Sequence, residues 1–545
     1  MSAYFGLHVG RTNSCVSVCK DGKSDVVAND AGDRVTPSIV SFSSEEIAVG
    51  LPAKQGLFRN MSSTVVKCKE LLCWNGKEEE LAKLQSTSVC PVIIKNNKLL
   101  YEVEMDEKKK LFSPEDILVH IYRKLYVSPI SEVIWFPDIA IHHSNAVDES
   151  MKAVVSVPLS FTSEQRQAVW KAAEKARFNI LQVISEPAAS LLAYGIGQSN
   201  KHETLCCLVY RCGGATLDVS VVNARGGMYS VVSSLHRKQG GDKFTALVAN
   251  YLADEFQKYT STSKLFSTLS NKRIECFSKW KLDPRESRRS MFKLMGAAEE
   301  CKHVLSTLNT AHCFVESLHE GVDLSANVSR ARIDMLITQL FPEYIGPISE
   351  ALTQAGLTAS DVHKVIVCGG TAKMPRLQQA IQEALPNSEL LSNLTADEVM
   401  AVGCCNQAAV IGEPWDTICQ FKQVSVPAIS KGISVRCGDE EESQTTTVFC
   451  AQTPLSSRFS LPVPLGKKHN VAIVDVFEDT ELVAKLTLNN LPEAPSVAAN
   501  FHLSSSGFNS NFAFYKNSDG SLHVTLTEKI TGVTTAATIG TTVAA

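Results

Sequence analysis

Residues 4–19 run in the two-residue alternation of a strand, break at Gly10-Arg11-Thr12 and resume as Cys15-Val16-Ser17-Val18, which predicts a β-hairpin tipped by glycine. The pattern begins again near residue 205. Leu205 to Val209 is apolar, a turn falls at 213–216, and Leu217-Asp218-Val219-Ser220-Val221 returns. A third apolar strand, Val365 to Cys368, runs into Gly369-Gly370-Thr371, followed by Ala372-Lys373-Met374-Pro375 and a helix from Arg376 to Leu385. Helical periodicity with capped starts marks Ser113 to Leu125, opened by Ser113-Pro114-Glu115-Asp116, and Thr162 to Arg177, opened by Thr162-Ser163-Glu164. Two hairpins of one layout separated by helices predict a duplicated α/β fold with a cleft between its halves.

Beyond Gly412 the texture changes to short strands, expected at Ile433–Cys437, Thr447–Ala451, Val471–Phe477, Leu482–Leu488, Val497–Leu503, Asn511–Tyr515 and Ser521–Thr527, with turns such as Asp519-Gly520 between them. The chain therefore divides into an α/β domain over 1–412, a linker over 413–430 and a β-sandwich over 431–545. The sandwich ends in a Thr/Ala/Gly-rich tail from Thr531 to Ala545 that leaves no room for a helical appendix. Two stretches, 126–143 and 261–280, fit this layout poorly and read as inserts.

The 545 residues are 44% hydrophobic, ample for buried cores. Lys plus Arg (53) nearly balance Asp plus Glu (57), and a net charge of −4 gives no global attraction to DNA or to an acidic membrane. No apolar run approaches a membrane span, and the start, Met1-Ser2-Ala3-Tyr4-Phe5, lacks the features of a signal peptide, so a cytosolic location is expected. None of the 17 cysteines forms a Cys-x-x-Cys pair and most sit in apolar company, as buried thiols do; no metal-ligand set is expected. The basic run from Lys272-Arg273 through Lys279, Lys281, Arg285, Arg288, Arg289 and Lys293 reads as a solvated helical face more readily than as an RNA contact.

Glycine-rich turns let backbone N–H groups approach phosphate oxygens, and the hydroxyls of Thr12 and Thr216 add donors. Spacing alone leaves two readings open: a phosphate cradle, or glycines that merely close hairpins. Glu299, Lys302 and Ser306 stand at i, i+3 and i+7 of a helix and share one face, where they either meet a ligand or form an ordinary ion pair in solvent.

Four segments resemble the signature stretches of the seventy-kilodalton heat-shock chaperones: residues 6–16 (GLHVGRTNSCV), residues 28–38 (ANDAGDRVTPS), residues 185–195 (SEPAASLLAYG) and Cys368-Gly369-Gly370-Thr371. The likeness covers 4–412 outside the two inserts. More weakly, Thr453-Pro454-Leu455 and Asp519-Gly520-Ser521-Leu522 resemble the family's β-domain. This implies a two-lobed actin-like (ribonuclease-H-like) ATPase domain followed by a small antiparallel β-sandwich, with ATP as ligand. By resemblance the phosphate-facing positions are Gly10, Arg11 and Thr12, together with Gly213, Gly214, Ala215 and Thr216. The adenosine side is Glu299, Lys302, His303, Ser306, Gly369, Gly370, Thr371, Lys373 and Asp397. Lys69 falls on the lysine that orients the attacking water, and Glu186 and Pro158 on the residues that couple hydrolysis to the rest of the chain.

Two departures bear on mechanism. The family's magnesium-organising aspartates are replaced by His8 and Arg211, and neither an imidazole nor a guanidinium is a hard oxygen ligand. Arg211 either pairs with phosphate oxygens or turns away from a degraded pocket. Together with the absent helical lid, this resembles the atypical branch that forms a stable heterodimer with a zuotin-type J-domain protein on the ribosome and assists nascent polypeptides. The implied function is an ATP-binding, weakly or non-hydrolysing chaperone-like subunit; the alternatives are an active foldase with an unusual metal site and a nucleotide-free interaction module.

Overall fold

The computed structural model describes residues 3–541 apart from isolated positions and short gaps and the segments 75–80, 136–150, 199–203, 262–281, 413–428, 438–444, 464–470, 492–496 and 506–519. The chain forms two compact units, Met1–Lys422 and Gln423–Ala545.

Two sheets of the first unit repeat one topology. In one, the order is Phe178–Ser185, Met151–Val157, Tyr4–Val9, Asn13–Lys20, Lys23–Val26; in the other it is Glu389–Leu391, Lys364–Cys368, Leu205–Cys212, Leu217–Arg225, Met228–Arg237. In both, the central strand has a parallel neighbour on one side and the returning arm of its own hairpin on the other. Parallel strands covered on both faces need apolar residues at every position. Ala153-Val154-Val155 and Val365-Ile366-Val367-Cys368 supply them and are fully buried. The fold is thus the expected two-lobed α/β ATPase architecture.

Close packing positions the first hairpin. Helix Val399–Gly412 lies across strand Tyr4–Val9, and a Cβ at Gly6 would stand 2.0 Å from the Ala401 carbonyl. Thr162 closes a capping box with Gln165 at the start of helix Ser163–Lys175, as its sequence predicts. The helix expected to end at Leu125 instead runs Pro114–Trp135, despite Pro129, so the first part of the supposed insert continues a helix. The rest of that insert lies outside the described residues, as does nearly all of 261–280 beyond helix Gly241–Ser261.

The second unit is two four-stranded antiparallel sheets. One orders Thr445–Phe449, Ile433–Cys437, Val471–Glu478, Glu481–Asn489; the other orders Arg458–Pro462, Val497–Ser505, Gly520–Glu528, Thr534–Thr541. Val435, Val474, Val476 and Leu486 share a buried core with Ala499, Phe501, Val524 and Leu526. Two strands were not foreseen. Arg458–Pro462 is one, and Thr534–Thr541 falls in the segment read as a tail, where it pairs along Gly520–Glu528. The strand expected at Asn511–Tyr515 lies outside the described residues.

Candidate nucleotide cleft

Both hairpin tips close by the same bond. The Gly10 N–H donates to the Asn13 carbonyl at 2.9 Å, and the Gly213 N–H to the Thr216 carbonyl at 2.9 Å. The tip carbonyls are turned into the scaffold: Thr12 O accepts from Ser38 N (2.8 Å), Gly213 O from Gly241 N and Thr371 Oγ1 (both 2.9 Å), and Gly214 O from Asp242 N (2.8 Å). The N–H groups of Arg11, Thr12, Gly214 and Ala215 make no hydrogen bond among the described residues. Four donors left free on two turns that line one cleft are available to an anion. The tips touch, since Arg11 Nη1 donates to Thr216 Oγ1 at 2.7 Å and a Cβ at Gly214 would stand 2.5 Å from Thr12 Cγ2. Gly369 has φ +90°, a backbone only glycine adopts without strain, and a Cβ there would meet the Cys212 carbonyl at 2.3 Å.

The cleft is lined by residues of both tips, including Gly10, Arg11, Thr12, Gly213, Gly214, Ala215 and Thr216, and by Arg211. Glu299, Lys302, His303 and Ser306 of helix Arg288–Thr307 line it too, with Gly369, Gly370, Thr371 and Asp397. Lys373 is not part of this lining; its exposed side chain donates to Asp397 Oδ2 at 2.7 Å, while Asp397 Oδ1 is buried without a hydrogen-bond partner among the described residues. That orphaned acceptor suits a ligand N–H. The helical residues share a face, but Glu299 and Lys302 are not an ion pair in solvent. Glu299 reaches Lys54 at 2.9 Å, and Lys302 is buried, donating to Thr245 Oγ1 at 2.8 Å. Burial holds Lys302 below the usual lysine range and His303 below the usual imidazole range. Asp242 at the cleft rim pairs with Lys67.

Strand register decides what faces His8 and Arg211. His8 lies opposite Ser156 of the parallel neighbour, and its Nδ1 meets Ser156 Oγ at 2.9 Å. Burial, then Arg211 and Lys69, hold its pKa well below 6.5, so the ring is neutral at neutral pH. Arg211 lies opposite Asp218, which lies opposite His236, so three side chains form a row across the sheet. Arg211 Nη1 meets Asp218 Oδ2 at 2.8 Å, and His236 Nδ1 meets Asp218 Oδ1 at 2.6 Å. From the other side, Glu186 Oε2 stands 2.8 Å from Arg211 Nε. Burial would raise the Asp218 pKa, but the His236 hydrogen bond and Arg211 outweigh it and hold the carboxyl below its usual range. Arg211 therefore keeps its charge inside the protein and still lines the cleft.

Lys69 and Glu186 do not line the main cleft. Lys69 is buried, with Nζ donating to the Val9 carbonyl at 2.6 Å and lying 5.2 Å from the centre of the Phe161 ring. Glu186 lines a smaller adjoining cavity with Pro158, Arg211 and Asp218, and its Oε1 is buried without a partner among the described residues. Among the described residues of the basic run, Arg285 pairs with Asp254 and Asp283, Arg288 donates to Ser88 O, and Lys293 to Glu316 O and Ser317 O. Those side chains are committed to the fold.

A family model described as Hsp70 protein matches residues 4–542. This chain belongs to the Hsp70 family. Among curated proteins it is 37% identical over 541 residues to Heat shock 70 kDa protein 14 of Bos taurus, covering 98% of this chain and 99% of the relative. It is 38% identical over 547 residues to the Mus musculus protein of that name (98% and 99%) and 37% over 536 residues to the Homo sapiens one (97% and 98%).

An Hsp70 domain is a nucleotide-binding ATPase fold, and this cleft has the free backbone donors, the orphaned Asp397 oxygen and the close glycine turns to hold ATP. Magnesium fits it poorly. Both Asp218 oxygens are engaged, Glu186 Oε2 is held by Arg211, and His8 Nδ1 is bonded to Ser156; the buried carboxylate oxygens here without a partner among the described residues, Glu186 Oε1 and Asp397 Oδ1, belong to different cavities. Among the described residues no three His, Cys, Asp or Glu side chains gather as metal ligands. Sequence reasoning missed Asp218, His236, Ser156 and Lys54. A hairpin closed at 213 and 216 necessarily sets 211 against 218, so the Arg211–Asp218 pair was within reach of the pattern; the partners from other elements were not.

Proposed function

We propose that this Hsp70 protein is an ATP-binding, weakly or non-hydrolysing chaperone-like subunit that pairs stably with a zuotin-type J-domain protein on cytosolic ribosomes and assists nascent chains. The observation that carries the reading is the Arg211 ion pair with Glu186 and Asp218, which fills with a fixed guanidinium the place where the family keeps a magnesium-organising carboxylate. Phosphoryl transfer relies on a metal to neutralise developing charge and on groups that place the attacking water. Here Glu186 and Asp218 are tied to Arg211, Asp242 is tied to Lys67, and Lys69 donates to the Val9 carbonyl. ATP bound to such a site contributes stability to the folded state as a ligand rather than as fuel.

The test is affinity purification from a cytosolic lysate. A one-to-one complex with a J-domain protein is expected to survive salt that strips ribosomes and to persist in Lys69→Ala. A monomer in lysate, or a Lys69→Ala variant without cellular activity, would favour the active foldase instead.

A further inference from the structure

Resting on the reading that the ligand is ATP, we propose that the cleft takes its nucleotide as the metal-free polyphosphate anion, with the guanidinium groups of Arg11 and Arg211 standing in for a divalent cation. The Arg11 guanidinium is fixed where the two tips meet, bonded to Thr216 Oγ1 at 2.7 Å beside the four free backbone N–H groups. Arg211 is fixed two residue pairs below the second tip by Glu186 and Asp218, and it lines the cleft. Guanidinium groups held in place bind phosphate oxygens by strong charge-assisted bonds with little ordering cost.

The local charge count points the same way. Around the tips Arg11, Arg211, Lys67 and Lys69 stand against three carboxylates, Asp218, Glu186 and Asp242, while His8 is neutral, so the phosphate end is net positive before any metal enters. A hydrated magnesium ion would need hard oxygen donors and would sit beside two guanidinium groups that repel it. A nucleotide with bare phosphates finds complementary charge there; one already carrying a divalent cation brings charge the site has already supplied.

Calorimetric titration of ATP into the full chain, at equal ionic strength with EDTA or with excess magnesium, tests this. Affinity in EDTA is expected to equal or exceed that in magnesium. Arg11→Thr, on a half-buried turn, is expected to weaken ATP binding in EDTA by about tenfold or more while leaving adenosine binding and the melting temperature unchanged. Weaker binding in EDTA than in magnesium, or an Arg11→Thr variant of unchanged ATP affinity, overturns the metal-free site while leaving the ATP reading intact. Absence of ATP binding in both arms overturns the ATP reading itself, and this inference with it.

Discussion

The hairpins at 10–13 and 213–216 share strand order, closing bond and tip geometry, yet the residues two positions before each glycine live in opposite electrical surroundings. His8 is neutral and meets one hydroxyl; Arg211 is charged and meets two carboxylates. The backbone of a phosphate cradle is set by glycine turns and strand pairing, and it survives replacement of the neighbouring side chains. The chemistry done beside that cradle is set by those side chains. The proposed function rests on this split: the cradle's main chain is kept, while His8 and Arg211 stand two positions before its glycines.

The largest effect should come from breaking the charged half. Arg211→Ala leaves Glu186 and Asp218 buried without their cation, and an orphaned buried charge costs about 3–5 kcal/mol, readable in urea denaturation. It should also weaken ATP binding more than adenosine binding; equal losses would mean that the guanidinium does not face phosphate. His8→Ala removes a neutral hydrogen bond and some packing, and is expected to cost about 1–3 kcal/mol in the same assay. Similar costs at the two positions would erase the distinction between the hairpins.

On the adenosine side, Lys302→Ala should reduce ATP affinity by about tenfold without unfolding the chain, because Lys302 itself lines the cleft, held there by its bonds to Thr245 Oγ1 and the Gly241 carbonyl. Unchanged affinity by calorimetry would remove Lys302 from the site.

The smallest effect is the neutral half's share of the pH dependence, to which His120 and His303, also lowered by burial, add their own. His8 has a folded-state pKa below its ordinary 6.5, so on acidification the unfolded chain takes up a proton that the folded chain resists. Stability from this residue is complete above 6.5 and falls as pH drops below it, by about 1 kcal/mol near pH 6. His8→Asn should make the stability curve shallower in this window, leaving the slope that His120 and His303 supply. An unchanged slope would mean that His8 is protonated in the folded state.

Much of this was legible in the sequence because glycine turns and apolar alternation are local signals. The two hairpins, the third turn at Gly369 and most sandwich strands stand close to where the pattern puts them. What was illegible depends on elements distant in sequence. Glu186 reaches Arg211 from a helix that starts at the end of another strand, and Lys54 reaches Glu299 from a short helix in the first lobe. Strand Thr534–Thr541 escaped notice because Thr, Ala and Gly carry no alternating apolar signal, and its place is set by pairing with Gly520–Glu528. Helix Pro114–Trp135 runs past Leu125 into the stretch read as an insert.

The most direct test of separable binding and hydrolysis is to load the purified chain with ATP, remove excess, and follow the bound nucleotide by chromatography together with phosphate release over many potential turnovers. The account predicts one nucleotide per chain, recovered as intact ATP, with no steady phosphate release; continuous conversion to ADP and phosphate by protein free of other chaperones would contradict it.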